Sequence, residues 1–169
     1  MSKGRAHRNL AAFAMGDTSA ESHCEWAAID DNGFGAIHAL CELEESSDAS
    51  PERFRSFVLL AIACGASPTR GEHELNNAPL HWCAWHAAPG CALALLESGA
   101  PWNARNRNGD SAMDIAKRQL SSRNSMRPEC EKRLHALVEA IEAFKERTVL
   151  ADAIASPNEK ASLIKALRL

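Results

Sequence analysis

The 169-residue sequence has no tyrosine, no Cys-x-x-Cys pair, no surplus of basic charge and no apolar run approaching the roughly 18 residues of a membrane span. Each absence removes a class of protein. Without a long apolar run, no membrane-spanning helix is expected. With 19 Lys and Arg against 22 Asp and Glu, the formal net charge is −3, so the chain lacks the electrostatic footprint of a nucleic-acid binder. The six cysteines (Cys24, Cys41, Cys64, Cys83, Cys91, Cys130) are scattered at uneven intervals, and the first 16 residues lack the apolar stretch of a secretory signal. A cytoplasmic protein without a disulfide framework is expected. The basic start, free of acid up to Asp17, superficially resembles an organelle transit peptide, but it is short, and an exposed, flexible N-terminus is the expectation. No P-loop, H-E-x-x-H, G-x-S-x-G or dinucleotide-binding glycine motif is present, so no enzyme can be argued from motifs.

What is present fills one unit. Hydrophobic residues make up 46% of the chain, enough to line the interior that a protein of this length hides, so disorder of the whole is excluded. Many of them are small, as in Ala84-Trp85-His86-Ala87-Ala88, and closely packed helices need such residues.

The chain also repeats itself. Asn77-Ala78-Pro79-Leu80-His81-Trp82-Cys83-Ala84 leads to Leu95-Leu96-Glu97-Ser98-Gly99-Ala100, and a second copy starts at Asn106-Arg107-Asn108-Gly109-Asp110-Ser111-Ala112-Met113-Asp114. A third lies upstream, from Asp30-Asp31-Asn32-Gly33-Phe34-Gly35-Ala36-Ile37-His38 to Ala63-Cys64-Gly65-Ala66. His81 and Asp114 stand 33 positions apart, His38 and His81 stand 43 apart. Nine of the ten additional residues fall between the two helices of the first unit, where Glu44 to Arg53 reads as a polar loop with Pro51 placed to open the next helix. That loop, Ser46 to Arg53, is expected to be the most dispensable internal segment, because loop length enters stability only logarithmically.

A period of 33, two short helices and a terminating Gly resembles the ankyrin repeat. Pro79-Leu80-His81 is similar to the centre of the T-P-L-H-x-A signature, with Ala78 where Thr is usual, and Gly99-Ala100 with Asn103 matches the hairpin stem, with Pro101 in place of Asp. The resemblance covers about residues 26 to 120. It implies an all-α solenoid of helix-turn-helix repeats with helical caps at both ends. Neither helix of a unit can bury its face alone, so stacked neighbours must complete the core. The expected divisions are an N-terminal segment and cap helix over 1–25, repeats at about 30–69, 73–105 and 106–147 within a domain 26–147, and a helical appendage over 148–169. Asn9 to Met15 supplies the first cap. Pro128 opens a helix carrying Leu134, Leu137, Val138, Ile141 and Phe144, and Ser156-Pro157-Asn158-Glu159 is a capping box for a last helix to Arg168, which either packs on the last repeat or presents a docking helix.

His81, Cys83, His86 and Cys91 crowd within eleven residues, but their spacing does not chelate, and no metal or other cofactor is expected. A Cys nucleophile with a His base lacks an oxyanion turn and an orienting acid. The resemblance implies instead that His38 and His81 fasten neighbouring hairpins by hydrogen bonds and that Cys41 and Cys83 fill small buried sites.

The resemblance further implies a non-enzymatic module that binds another protein through hairpin tips and the exposed side of each first helix. Those positions fall on Asp31, Phe34 and Glu42, then on Leu75, Asn77, Trp85 and His86, then on Arg107, Asp110 and Arg118, an acidic, aromatic and basic stripe. Trp85 is the expected anchor, its alternative being a core aromatic. Trp26, Trp82 and Trp102 are expected to be structural. The other functional class is a small regulator or effector whose C-terminal helices act separately while the repeats target it. If the register is right, thiol reagents should label Cys41 and Cys83 slowly in the native protein, and rapid labelling of both, followed by mass spectrometry, would overturn it.

Overall fold

The computed structural model describes residues 26–122 and 128–154, with side chains to Ala151. The expected N-terminal cap helix and the Ser156 capping box with its helix lie outside the described residues. Among the described residues six helices follow one another: α1 (Ala36–Ser46), α2 (Pro51–Ala63), α3 (Pro79–Trp85), α4 (Pro89–Glu97), α5 (Ala112–Ser121) and α6 (Pro128–Ile154). The described residues are all-helical, without a named strand; a single isolated bridge pairs Ile29 with Gly35.

Proline sets most of the starts. Pro51, Pro79 and Pro89 occupy the first turns of α2, α3 and α4, where a missing N–H costs nothing and the fixed φ suits a helix. Glycine sets two of the ends. Gly65 (φ 97°) and Gly99 (φ 86°) follow α2 and α4 in left-handed conformation. There Ala66 N–H donates to Ala61 O and Gly65 N–H to Ile62 O, and Ala100 and Gly99 repeat the pattern on Leu95 and Leu96. This Schellman geometry closes each second helix and returns the chain to the next hairpin. Helix α5 starts differently, by a capping box in which Ser111 Oγ accepts from Asp114 N–H and Asp114 accepts from Ser111 N–H. Asp114, which takes the place of the repeat's His, is therefore a local helix start.

The pairs α1/α2, α3/α4 and α5/α6 stack so that α1, α3 and α5 form one row and α2, α4 and α6 the other. Apolar side chains from both rows meet between them: Leu40 and Ile37 from α1, Phe54 and Val58 from α2, Leu80 from α3, Leu95 and Leu96 from α4, and Leu134, Leu137 and Ile141 from α6, all nearly or fully buried. Trp26 closes the core beneath the first hairpin, and Trp102 lies half-buried with Lys145 Nζ 5.5 Å from its ring centre. Helix α6 is far longer than its counterparts α2 and α4 and continues unbroken past Arg147, where the appendage was expected to begin.

The segment Ser46 to Arg53 is not the free loop expected from its polarity. Glu44 belongs to α1 and is 1% exposed. Its carboxylate accepts hydrogen bonds of 2.9 Å from Gly90 N–H and 2.9 Å from Cys91 N–H, capping the start of α4. Arg133 of α6 reaches back to donate to the carbonyls of Glu44 and Ser47 at the end of α1. Ala49 packs on the core. Gly90 lies so close to the Pro51 carbonyl that a Cβ at position 90 would stand 2.0 Å from its oxygen. The insertion thus lies in a crossing of α1, α2, α4 and α6, which polarity along the chain cannot reveal.

Gly90→Ala should destabilise the protein by about 1–3 kcal/mol, since either Pro51 or α4 must shift to admit the methyl group. Urea unfolding followed by circular dichroism checks this; an unchanged midpoint would show that the α2–α4 contact is soft.

Candidate functional site

Each hairpin is held at its tip by one polar side chain bonded to the backbone of its own turn. Asp30 Oδ1 accepts from the N–H groups of Asn32 and Phe34, both at 2.9 Å. Asn106 Oδ1 accepts from Asn108 (3.0 Å) and Asp110 (2.9 Å). In the second hairpin the carboxylate of Glu72, only 5% exposed, accepts from Leu75 N–H at 2.8 Å and from Asn77 N–H and Nδ2 at 3.1 Å. Desolvation pushes the Glu72 carboxyl up, but the hydrogen bonds from Asn77, Leu75 and Glu74 outweigh it and hold it below the ordinary carboxylate range. These three residues were not singled out from the sequence, although an Asx turn ahead of Gly33 and of Gly109 was readable there.

Neighbouring hairpins are then tied together. His73 N–H donates to Asn32 O (2.8 Å) and Arg107 N–H to Leu75 O (2.8 Å). The Arg107 guanidinium donates to the carbonyls of His73 (2.9 Å) and Glu74 (2.6 Å). Asn106 Nδ2 donates to Asn77 Oδ1 (2.8 Å), and His81 Nε2 bonds Asp110 O at 3.1 Å, the fastening role expected of that ring. His38 is more than nine-tenths buried in the first unit, where its Nδ1 accepts from Gly35 N–H of its own turn at 3.1 Å and its Nε2 has no hydrogen-bond partner among the described residues, so the fastening bond expected of it is not made; burial lowers its pKa. Of the expected contact residues, Asn77, Arg107 and Asp110 are therefore engaged within the repeat stack.

The row of first helices carries an aromatic run. Phe34 meets Trp82 edge-on at 5.0 Å and His38 at 5.5 Å, and Trp82 stacks on His86 at 5.1 Å. His86 Nδ1 bonds Glu45 Oε2 at 2.7 Å across the step from α1 to α3. Beyond this run stands Trp85, 62% exposed, its own backbone carbonyl held by Gln119 Nε2 at 2.9 Å. Trp85 is thus not the core aromatic considered as its alternative. Asp31, Glu42 and Leu75 are exposed on the same units, and Arg118 pairs with Asp110. The structure brings Phe34, His86 and Trp85 to one helix row, with Leu75 and Asp31 at the tips above it.

The chemistry of this face is recognition by shape and charge. Cys41, Cys83 and Cys91 meet in the core, with Cys41 Sγ 3.3 Å from Cys83 Sγ, and all three are shielded from solvent. Burial pushes Cys83 and Cys91 well above the usual thiol range. It also pushes Cys41 up, but hydrogen bonding with Cys83 and Cys91 overrides that and brings Cys41 down. No group of three His, Cys, Asp or Glu among the described residues is disposed to hold a metal ion.

No family model matches the chain. It is 31% identical to protein fem-1 homolog A of Bos taurus over 101 residues, which cover 57% of this chain and 15% of that protein, and equally similar to the human fem-1 homolog A. It is 46% identical over 77 residues to oxysterol-binding protein-related protein 1 of Homo sapiens, covering 44% of this chain and 8% of the relative. These similarities support an ankyrin-repeat family. The chain spans about a seventh or less of the length of these curated relatives. No described helix is long and apolar enough to cross a membrane.

Glu72→Gln should destabilise the protein by about 1–2 kcal/mol at neutral pH, since a carboxylate that accepts several N–H bonds is replaced by an amide with one acceptor oxygen. Because the folded pKa is depressed, the carboxylate's contribution is present above the ordinary carboxylate range and is lost as pH falls through the lower folded value. The difference between the two proteins should therefore shrink in acid, as urea midpoints at neutral pH and at about pH 3 would show.

Proposed function

We propose that this chain is an ankyrin-repeat solenoid that binds a partner protein, without catalysis and without a cofactor, through the row α1, α3, α5 and the hairpin tips above it. The units run over about 30–69, 73–105 and 106–147, and the site of action is the cytoplasm. One observation carries the reading: Trp85 stands 62% exposed in the middle of a row whose other large aromatic side chains are packed. Exposing that ring costs free energy in the isolated protein, and a partner that covers it recovers the cost. The backbone beneath it is fixed by Gln119 and by the ladder of hairpin bonds, so binding loses little ordering entropy. Phe34, Leu75 and His86 extend the contact, flanked by Asp31 and Glu42 on one side and Arg118 on the other; Asn77, Arg107 and Asp110 contribute by holding the tips. The similarity to fem-1 homologues supports an interaction module.

Trp85→Ala should weaken capture of the partner by about 2 kcal/mol or more while leaving the melting temperature nearly unchanged, because only the Trp85 backbone is bonded to the rest of the fold. Affinity capture with the two proteins in parallel, quantified by mass spectrometry, tests it. If Trp85→Ala unfolds the protein or leaves capture intact, this face is not the binding surface.

A further inference from the structure

The charges on the proposed face are not left equally free. On the third hairpin and α5 the cations are held within the chain, Arg105, Arg118 and Lys117 by carboxylates and Arg107 by neutral carbonyls that fix its place but leave its charge without an ion pair. Arg107 donates to two carbonyls of the second hairpin, Arg118 pairs with Asp110, Arg105 bonds Gly109 O and Asp114, and Lys117 pairs with Glu142. Arg70, which has no ion pair among the described residues, lines a hollow with Ala27, Ile29, Gly65 and Ser67.

The anions on the first two units are in the opposite condition. Asp31 at the first tip, Glu42 on α1 and Glu74 at the second tip are exposed and have no ion pair among the described residues. Glu42 follows His38 by one turn and shares a flank of α1 with Glu45, so it stands beside the Phe34–Trp82–His86 run. Glu74 adjoins exposed Leu75. Asp31, Glu42 and Glu74 thus outnumber Arg107, so the unpaired charge of the expected acidic, aromatic and basic stripe is acidic in balance.

Resting on the interaction reading above, we infer that the face takes a basic partner segment: an extended peptide whose Lys or Arg side chains meet Asp31, Glu42 and Glu74 and whose apolar side chains cover Trp85 and Leu75. An acidic segment would bring like charges against carboxylates that have no ion pair among the described residues, and it would find Arg105, Arg118 and Lys117 already paired. An Arg or Lys stem also suits the aromatic run, because the cation is drawn to ring faces while its methylenes pack on them.

The probes are three fluorescein-labelled peptides with the same leucines, differing only in whether the charged positions are Arg, Gln or Glu, titrated by anisotropy against the full chain. The Arg peptide should bind at least about tenfold more tightly than the Gln peptide, and the Glu peptide more weakly than either, with the preference falling as salt rises from about 20 to about 300 mM. A triple variant, Asp31→Asn, Glu42→Gln and Glu74→Gln, should remove that preference. Matched neutralisation of the exposed acids Glu131, Glu139 and Glu146 of α6 should leave it. If both triple variants lose the preference equally, the attraction is net charge and the assignment fails. It fails also if the Arg peptide binds no better than the others, or not at all. In that event Trp85-dependent capture of a protein would keep the face itself, whereas Arg-peptide binding that survives Trp85→Ala and the first triple variant would place recognition elsewhere on the chain.

Discussion

Much of the structure depends on one buried carboxylate. Glu44 reaches from α1 to the first two free N–H groups of α4, where the helix dipole favours negative charge, and so fixes the first helix of one unit against the second helix of the next. Desolvation raises its pKa, and the N–H bonds of Cys91 and Gly90 pull the other way. The same turn of α1 offers its last carbonyls to Arg133, so α6 is keyed to α1 across the stack. Apart from this crossing the two rows are joined mainly by apolar contact, which specifies area but not register, and by the exposed Lys117–Glu142 pair. Gly90 adds a steric condition, since only a residue without a side chain lets α4 lie on the Pro51 carbonyl.

The hairpins solve a different problem. A short turn between helices exposes backbone donors that water would satisfy only loosely, and here Asp30, Glu72 and Asn106 satisfy them from within. The tips then bind one another through Arg107, Asn77 and Asn106, so that a ladder of main-chain and side-chain bonds runs along one edge of the stack. Rigidity along that edge places Leu75 and Asp31 at defined heights above the helix row. The recognition surface is therefore built from two separately stabilised parts, an aromatic row on helices and a charged fringe on braced turns.

The distribution of cations and anions follows from the same economy of polar groups. Arginines near the third hairpin bridge carbonyls and carboxylates that would otherwise be left without partners, and Arg105 and Arg118 are thereby paired with anions of the chain itself. The carboxylates of Asp31, Glu42 and Glu74 in the first two units have no such task. Trp85 is likewise spared from packing, because Ala84 and Cys83 beside it already fill the space against the neighbouring helices.

The repeat, its period and the helix ends were legible in the sequence, because prolines and glycines act locally: Pro79 starts α3 and Gly99 closes α4, while the bond of His81 to Asp110, 29 positions on, could be expected only from its place in the repeat. The burial of Cys41 and Cys83 could be read from their positions in the repeat, and the Ser111 capping box from its spacing alone. The role of Glu44 could not, since it stands at the head of a run of polar residues and its partners lie 46 and 47 positions away. Nor could the sequence tell that Arg107 braces the second hairpin and Arg118 pairs with Asp110 while Glu42 and Asp31 have no ion pair among the described residues. Local pattern determines which segments become helices and turns, since those choices depend on neighbours along the chain. Which charges remain available for a partner depends on neighbours in space, and only the stacking of one unit on the next decides them.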